Sequence, residues 1–242
     1  MMPGYPNQPP AATPTVKLTP EQIRASDAIG SEVRNPDGAV IAKIADLYVN
    51  RKDSAVELAS LVPDNSPPFK NGRTTVAWSS LQFQGKPTPH YVTALSTQAL
   101  VNGTAFKQQA VDEKSYYDVK ADLLGKKALG TDGKDVGTIQ DVIFNFENGR
   151  LDALIIDTGG LLNVGTRHRV VGWAKAGVSQ GKEGAPLRLA ISKKEVDSAP
   201  VITTMAPMPA PTESGSTTPM IRQDSTGNIS GTRIPVPPAR RQ

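Results

Sequence analysis

From Leu123 to Gly160 the chain reads LLGKKALGTDGKDVGTIQDVIFNFENGRLDALIIDTGG, a series of short apolar runs separated by glycine-bearing turns. Runs of this length, rich in branched side chains, predict β-strands joined by tight hairpins, because glycine tolerates the positive φ that such turns demand. Asp132-Gly133 marks the first turn and Asn148-Gly149 the second, followed by RLDALIID, about the length of one buried strand. Upstream, SEVRNPDGAVIAKIADLYV repeats the design around Asp37-Gly38; its second turn is RKDSA, and VELASLV follows.

The two stretches keep a constant spacing. Trp78 in TTVAWSSLQF and Trp173 in RVVGWAKAGV stand 95 residues apart, as do Gly30 and Gly125, Gly38 and Gly133, Ile44 and Ile139, Asp46 and Asp141, and Asn50 and Asn145. Turn glycines, strand isoleucines and a closing tryptophan are structural positions, so the repeat reads as an old duplication. Each unit ends by passing from a strand into a short helical turn: VTALSTQALVNGTAF with Ser96, and LRLAISKKEVDSAPVI, where Ser192 and Glu195 have the spacing of a capping box. Short strands at close spacing with hairpin connections predict small closed or nearly closed barrels, which leave no exposed strand edge. The expected fold is all-β: two tandem small β-barrels over residues 25–106 and 119–202, short capping helices, and a polar linker over 107–118. In LTPEQIRAS, Thr19, Pro20 and Gln22 predict one brief helix at the end of an N-terminal tail covering 1–24.

Composition changes the picture at the ends. Hydrophobic residues make up 38%, low for a chain packed throughout, and the 21 prolines and 21 glycines concentrate outside the periodic segments. Residues 1–24 and 203–242 therefore read as disordered tails. With no cysteine the chain has neither disulfides nor thiolate metal sites, and its redox compartment is not defined. A net charge of +4 is too weak and too diffuse for the Lys/Arg stripe of a nucleic-acid surface, and Arg240-Arg241 reads as a solvated tail. No apolar run approaches the roughly 18–20 residues that cross a bilayer, and MMPGYPNQPPAATP lacks the features of an export signal. As written the chain reads as cytoplasmic; a signal upstream of Met1 would make it periplasmic.

The second stretch resembles the PRC-barrel, the β-barrel module of the photosynthetic reaction-centre H subunit and of the C-terminus of the ribosome maturation factor RimM. The resemblance rests on Leu124-Gly125, the turn Asp132-Gly133, GTIQDV, LIIDTGG and the closing VVGW. The first stretch matches in AIGSEVRNPDGAVIAKIADLYV and TTVAWSSL, but has VPDNSPPFKNGR where the second has DTGGLLNVGTRH. The resemblance implies an interaction module without enzymatic activity that docks on a protein or membrane-associated complex. By analogy with RimM, the alternative is an RNA-processing or ribosome-associated factor.

The residues themselves offer little chemistry. His90 and His168 lack a second histidine or a carboxylate at ligand spacing and read as surface or loop residues. Asp132, Asp135 and Asp141 do not follow the order of a calcium loop. Gly159, Gly160 and Gly165 form neither a Walker A nor a dinucleotide motif. No catalytic residue, cofactor or metal site is expected. Asp46 and Asp141, each two residues after an isoleucine, face one side of their strands and read as buried acceptors for loop N–H groups. Trp78 and Trp173 read as core closures within strands, and Gly38 and Gly133 as turn residues. The candidate partner-binding residues are Gly159, Gly160, Leu161 and Leu162, where two leucines in a glycine-rich loop would offer an apolar spot to an unidentified protein partner.

Overall fold

In the computed structural model, which describes residues 13–63, 74–85, 90–95, 114–159, 166–180 and 185–202, the branched runs form strands. In the first half these are β1 (Thr15–Val16), β2 (Gln22–Arg24), β3 (Glu32–Arg34), β4 (Val40–Asn50), β5 (Ala55–Pro63), β6 (Thr74–Ala77), β7 (Gln82–Gln84) and β8 (His90–Val92). The second half has β9 (Tyr116–Asp118), β10 (Lys127–Leu129), β11 (Asp135–Asn145), β12 (Leu151–Thr158), β13 (Arg167–Gly172), β14 (Leu187–Arg188) and β15 (Val201–Ile202). Helical structure among the described residues is short: Ala25–Ala28, a 3-10 turn at Trp78–Ser80, a π turn at Val119–Leu123, Trp173–Ala176 and Lys193–Asp197. The described chain is thus mostly β.

The strands lie in two sheets. One has the order β6-β5-β4-β3-β8-β7, with β9 also on β4; the other runs β1-β15-β13-β12-β11-β10-β14, with β2 also on β11. A long antiparallel hairpin dominates each, β4 with β5 and β11 with β12. Register shifts fall at Ile44/Asp46 and Tyr48/Val49 in one and at Ile139/Asp141 and Ile143/Phe144 in the other. The backbone hydrogen bonds recur at the 95-residue spacing. Gly30 N–H donates to the Ile44 carbonyl at 2.7 Å and Gly125 N–H to that of Ile139 at 2.8 Å. Asn50 and Asn145 each turn a side-chain oxygen onto the next turn, accepting from Lys52 N–H at 2.8 Å and Glu147 N–H at 2.9 Å respectively.

The two sheets interlock through their lead strands. β2, at the start of the first half, pairs with β11 through Gln22, Ile23 and Arg24 opposite Asn145, Phe144 and Ile143. β9, at the start of the second, pairs with β4 through Tyr116, Tyr117 and Asp118 opposite Asn50, Val49 and Tyr48. Each half thus lends a three-residue strand from near its start to the long strand of the other. Between these exchanges Ala55 and Arg150, themselves 95 residues apart, form an isolated antiparallel bridge. Val56 N–H donates to the Gly149 carbonyl at 2.8 Å, and Leu151 N–H donates to the Ser54 carbonyl at 2.9 Å. One apolar cluster runs through both halves, from Ile23, Val33, Ile44 and Trp78 to Phe144, Ile156, Trp173 and Val196.

The exchange alters the segment limits drawn from the sequence. Thr19 and Gln22 do meet, Thr19 N–H donating to Gln22 Oε1 at 3.0 Å, but they close a single turn. The expected helix does not follow, because residues 22–24 take ladder partners on β11 and Ile23 is buried. Residues 13–24 therefore contain strands and are not wholly a tail, and residues 116–118 of the expected linker are β9. The remaining tail residues, 1–12 and 203–242, and 107–113 of the linker lie outside the described residues.

Candidate functional site

Of the four residues expected to contact a partner, Gly159 directly follows β12 and is exposed, with φ of 71°. Gly160, Leu161 and Leu162 lie outside the described residues. The residues expected to be structural are placed as follows. Gly38 and Gly133 sit at positive φ, 86° and 70°, in the turns between β3 and β4 and between β10 and β11. Trp78 and Trp173 are buried, but neither stands within a strand: Trp78 opens the 3-10 turn after β6 and Trp173 the short helix after β13. Leaving the ladder lets the indole turn inward. Trp78 meets Tyr91 and Phe144 edge-on at 5.2 and 5.3 Å, and its Nε1 donates to the Phe146 carbonyl of the other half at 3.0 Å. Trp173 meets Tyr117 of β9 edge-on at 6.3 Å.

Asp46 and Asp141 are 3% and 2% exposed. Each carboxylate sits at the register shift of its strand and takes the N–H of the next residue, Leu47 or Val142, at 2.8 Å. Each also reaches across the interface. Asp141 accepts from Ser26 N–H at 3.1 Å and from the Ser26 hydroxyl, so it caps the helix Ala25–Ala28 of the first half. Asp46 accepts from Lys120 N–H at 3.2 Å, at the π turn of the second half. Burial raises the Asp141 carboxyl above the ordinary range, while the Ser26 donors and the Arg24 guanidinium act against it. The Asp46 carboxyl is pushed up to about 7, first by burial and then by its hydrogen bond with the Asp118 carboxyl.

Sequence reading did not single out Ser26, Arg24 or Asp118. Arg24 is 6% exposed and grips Asp27 through two hydrogen bonds of 2.7 Å. Asp118 caps the π turn by accepting from Ala121 N–H at 2.7 Å. The spacing of 95 linked the two buried aspartates, but only the strand exchange shows what surrounds them.

His168 and His90 are on strands rather than in loops. His168 pairs across the ladder with Asp157, Nδ1 to Oδ1 at 2.5 Å, a partner that antiparallel register supplies and sequence spacing hides. Among the described residues no group of three or more His, Asp or Glu is arranged to hold a metal ion. Asp132 and Asp135 accept from Lys134 and Gly137 N–H groups within their own turn. A depression of about 670 Å³ lies between β13 and the helix Lys193–Asp197, floored by Val171 and Ile191 and rimmed by Lys175, Lys194 and Glu195. Lys175 is already engaged by Glu195 at 3.6 Å. No described helix is long and apolar enough to cross a membrane. The arrangement therefore offers buried carboxylates that fasten two halves and an exposed glycine, Gly159, just after β12.

Comparison with curated proteins yields no match. A match does come from protein-family models, and it falls on the half containing β10 to β13 and the Asp141 hairpin: residues 120–186 of this chain match the PRC-barrel domain.

Proposed function

We propose that the protein is a non-enzymatic adaptor of two PRC-type β-barrels, covering about residues 25–106 and 119–202, that docks onto a protein or membrane-associated complex through barrel loops. The observation that carries this reading is the PRC-barrel match over 120–186, a stretch that includes the Gly159–Leu162 loop. The recurrence of turns, register shifts and buried aspartates at a spacing of 95 supports extending the module to the first half. Docking is assigned to the second barrel, because its loop keeps the Gly-Gly-Leu-Leu sequence where the first half has prolines.

The test is a double substitution, Leu161→Ser with Leu162→Ser, in the full chain. Partner capture from native extract, with and without nuclease, is measured beside the melting temperature. Lost capture at unchanged stability supports docking through this loop, and a nuclease-sensitive capture would instead indicate the ribosome-associated role. Unchanged capture at unchanged stability overturns the loop assignment. Lower stability, by about 1.5–3 kcal/mol for each buried leucine removed, marks a plug of the barrel mouth.

A further inference from the structure

The two lead-strand contacts share a geometry but not a charge. Arg24 on β2 lies opposite Ile143, Asp118 on β9 lies opposite Tyr48, and Tyr48 and Ile143 are 95 residues apart. Arg24 and Asp118 therefore hold equivalent places, one beside Asp141 and the other beside Asp46. At the first place the neighbour of the buried carboxylate is a cation, itself held by Asp27. At the second it is another carboxyl.

The π turn brings the second pair together. Lys120 N–H points to Asp46 Oδ1 and the next amide, Ala121 N–H, to Asp118 Oδ1, at 3.2 and 2.7 Å. The two carboxyls thus take adjacent amides of one turn, which sets them side by side at the β9–β4 contact. The surrounding groups are few. Asp122, on the same turn, accepts from Asp118 N–H and from Gln180 Nε2, both at 2.9 Å, and lies 4.0 Å from Arg51. Lys120 is exposed and turns only its backbone to Asp46. On β5, Ser60 sits across from Asp46 with its buried hydroxyl unbonded among the described residues. On the other side of β4, Glu32 of β3 stands opposite Lys43.

We propose that the β9–β4 contact is a proton-dependent latch between the two halves. It holds while Asp46 is protonated and loosens when that buried carboxyl ionises beside Asp118, whereas the β2–β11 contact, with Arg24 in place of Asp118, is affected less. Ionised, the buried Asp46 carboxylate is set against its half-buried Asp118 neighbour, whereas at the other contact the Arg24 guanidinium offsets the charge of Asp141. Because the Asp46 carboxyl sits at about 7, above its unfolded range near about 4, the folded chain binds this proton more tightly than the unfolded one. Its stabilisation is complete below the unfolded value and is lost as pH rises through the folded one. The latch concerns the joint between halves and stands apart from any docking partner.

Hydrogen exchange of the full chain at about pH 5.5 and about pH 8.5, corrected for intrinsic exchange, reads the two contacts separately in peptides covering 114–124 and 20–30. The expected result is a loss of protection at the higher pH that is about tenfold greater in 114–124 than in 20–30. Asp118→Asn keeps an oxygen acceptor for Ala121 and should abolish that difference. Carboxyl-carbon titration of Asp46 should show an apparent pKa that falls in the same variant. Equal loss in both peptides, persistence of the difference in Asp118→Asn, or Asp46 titrating in the ordinary carboxylate range would overturn the latch. Should the variant not fold, the exchange comparison and the Asp46 titration in the unaltered chain decide alone.

Discussion

Asp141 accepts hydrogen bonds from both the backbone N–H and the hydroxyl of Ser26, a residue 115 positions earlier in the chain. A buried carboxylate needs donors, and here the first turn of a helix from the other half supplies them. The bond ties a strand of one sheet to the element that leads into the other.

Asp141→Asn should lower stability by about 1–3 kcal/mol, because the amide turns an NH₂ toward one of the positions that now receives a donor. Ser26→Ala, which removes one donor and keeps the backbone contact, should lower it by about 0.5–1.5 kcal/mol. Urea denaturation at fixed pH measures both. Curves for Asp141→Asn that overlay those of the unaltered protein would remove the carboxylate from its fastening role.

Gly149 and Gly38 both lie at positive φ, yet they should respond differently to alanine. A Cβ on Gly38 meets open space, whereas one on Gly149 runs into the Val56 carbonyl of the other half. Gly38→Ala should cost about 1 kcal/mol from backbone strain alone. Gly149→Ala adds a collision with backbone that cannot move without breaking the Ala55–Arg150 bridge, so its midpoint should fall distinctly further. Equal midpoints would show that the bridge yields.

Trp78→Phe should cost about 1–2 kcal/mol by leaving the Phe146 carbonyl without its indole donor. Trp78→Ala should cost about 3–5 kcal/mol, since the edge-on contacts to Tyr91 and Phe144 go too. Thermal melts of the pair separate the polar from the packing contribution: an unchanged Trp78→Phe would assign all of it to packing, and equal losses would assign all of it to the indole hydrogen bond.

The capping box at Ser192 carries a pH signature. Ser192 N–H donates to Glu195 Oε2 at 2.9 Å, and this bond holds the Glu195 carboxyl below its usual value. Its stabilisation is therefore present above the ordinary glutamate range and is lost as pH falls through the lowered folded value. Glu195→Gln should flatten the acid limb of the stability profile between about pH 5 and about pH 3. A limb of unchanged slope would mean the box contributes nothing measurable.

Much of the local structure was legible because its causes are local. Asp37-Gly38, Asp132-Gly133 and Asn148-Gly149 announced hairpins, and Ser192 with Glu195 announced a helix start; each needs only residues a few positions apart. The buried aspartates were legible from their spacing to isoleucine, although each sits at a register shift that the alternation rule does not foresee. The strand exchange was not legible. Gln22–Arg24 and Tyr116–Asp118 are three-residue strands whose partners lie far along the chain, so no periodicity marks them. Thr19, Pro20 and Gln22 even carry helix-start chemistry, and tertiary pairing overrode it. Arg24 and Asp118 could not be recognised as counterparts until the ladders aligned them.

The bridge between Ala55 and Arg150 joins a position to its own counterpart, so it has the form of an isologous contact, like that between identical subunits about a twofold axis. In a true homodimer any substitution appears on both sides at once. Here both sides belong to one chain and can differ: Ser54 takes a left-handed φ of 52° where the other side has Gly149, and Asp118 stands where the other side has Arg24. A joint with the symmetry of a dimer is thereby free to have two faces that answer differently to protons.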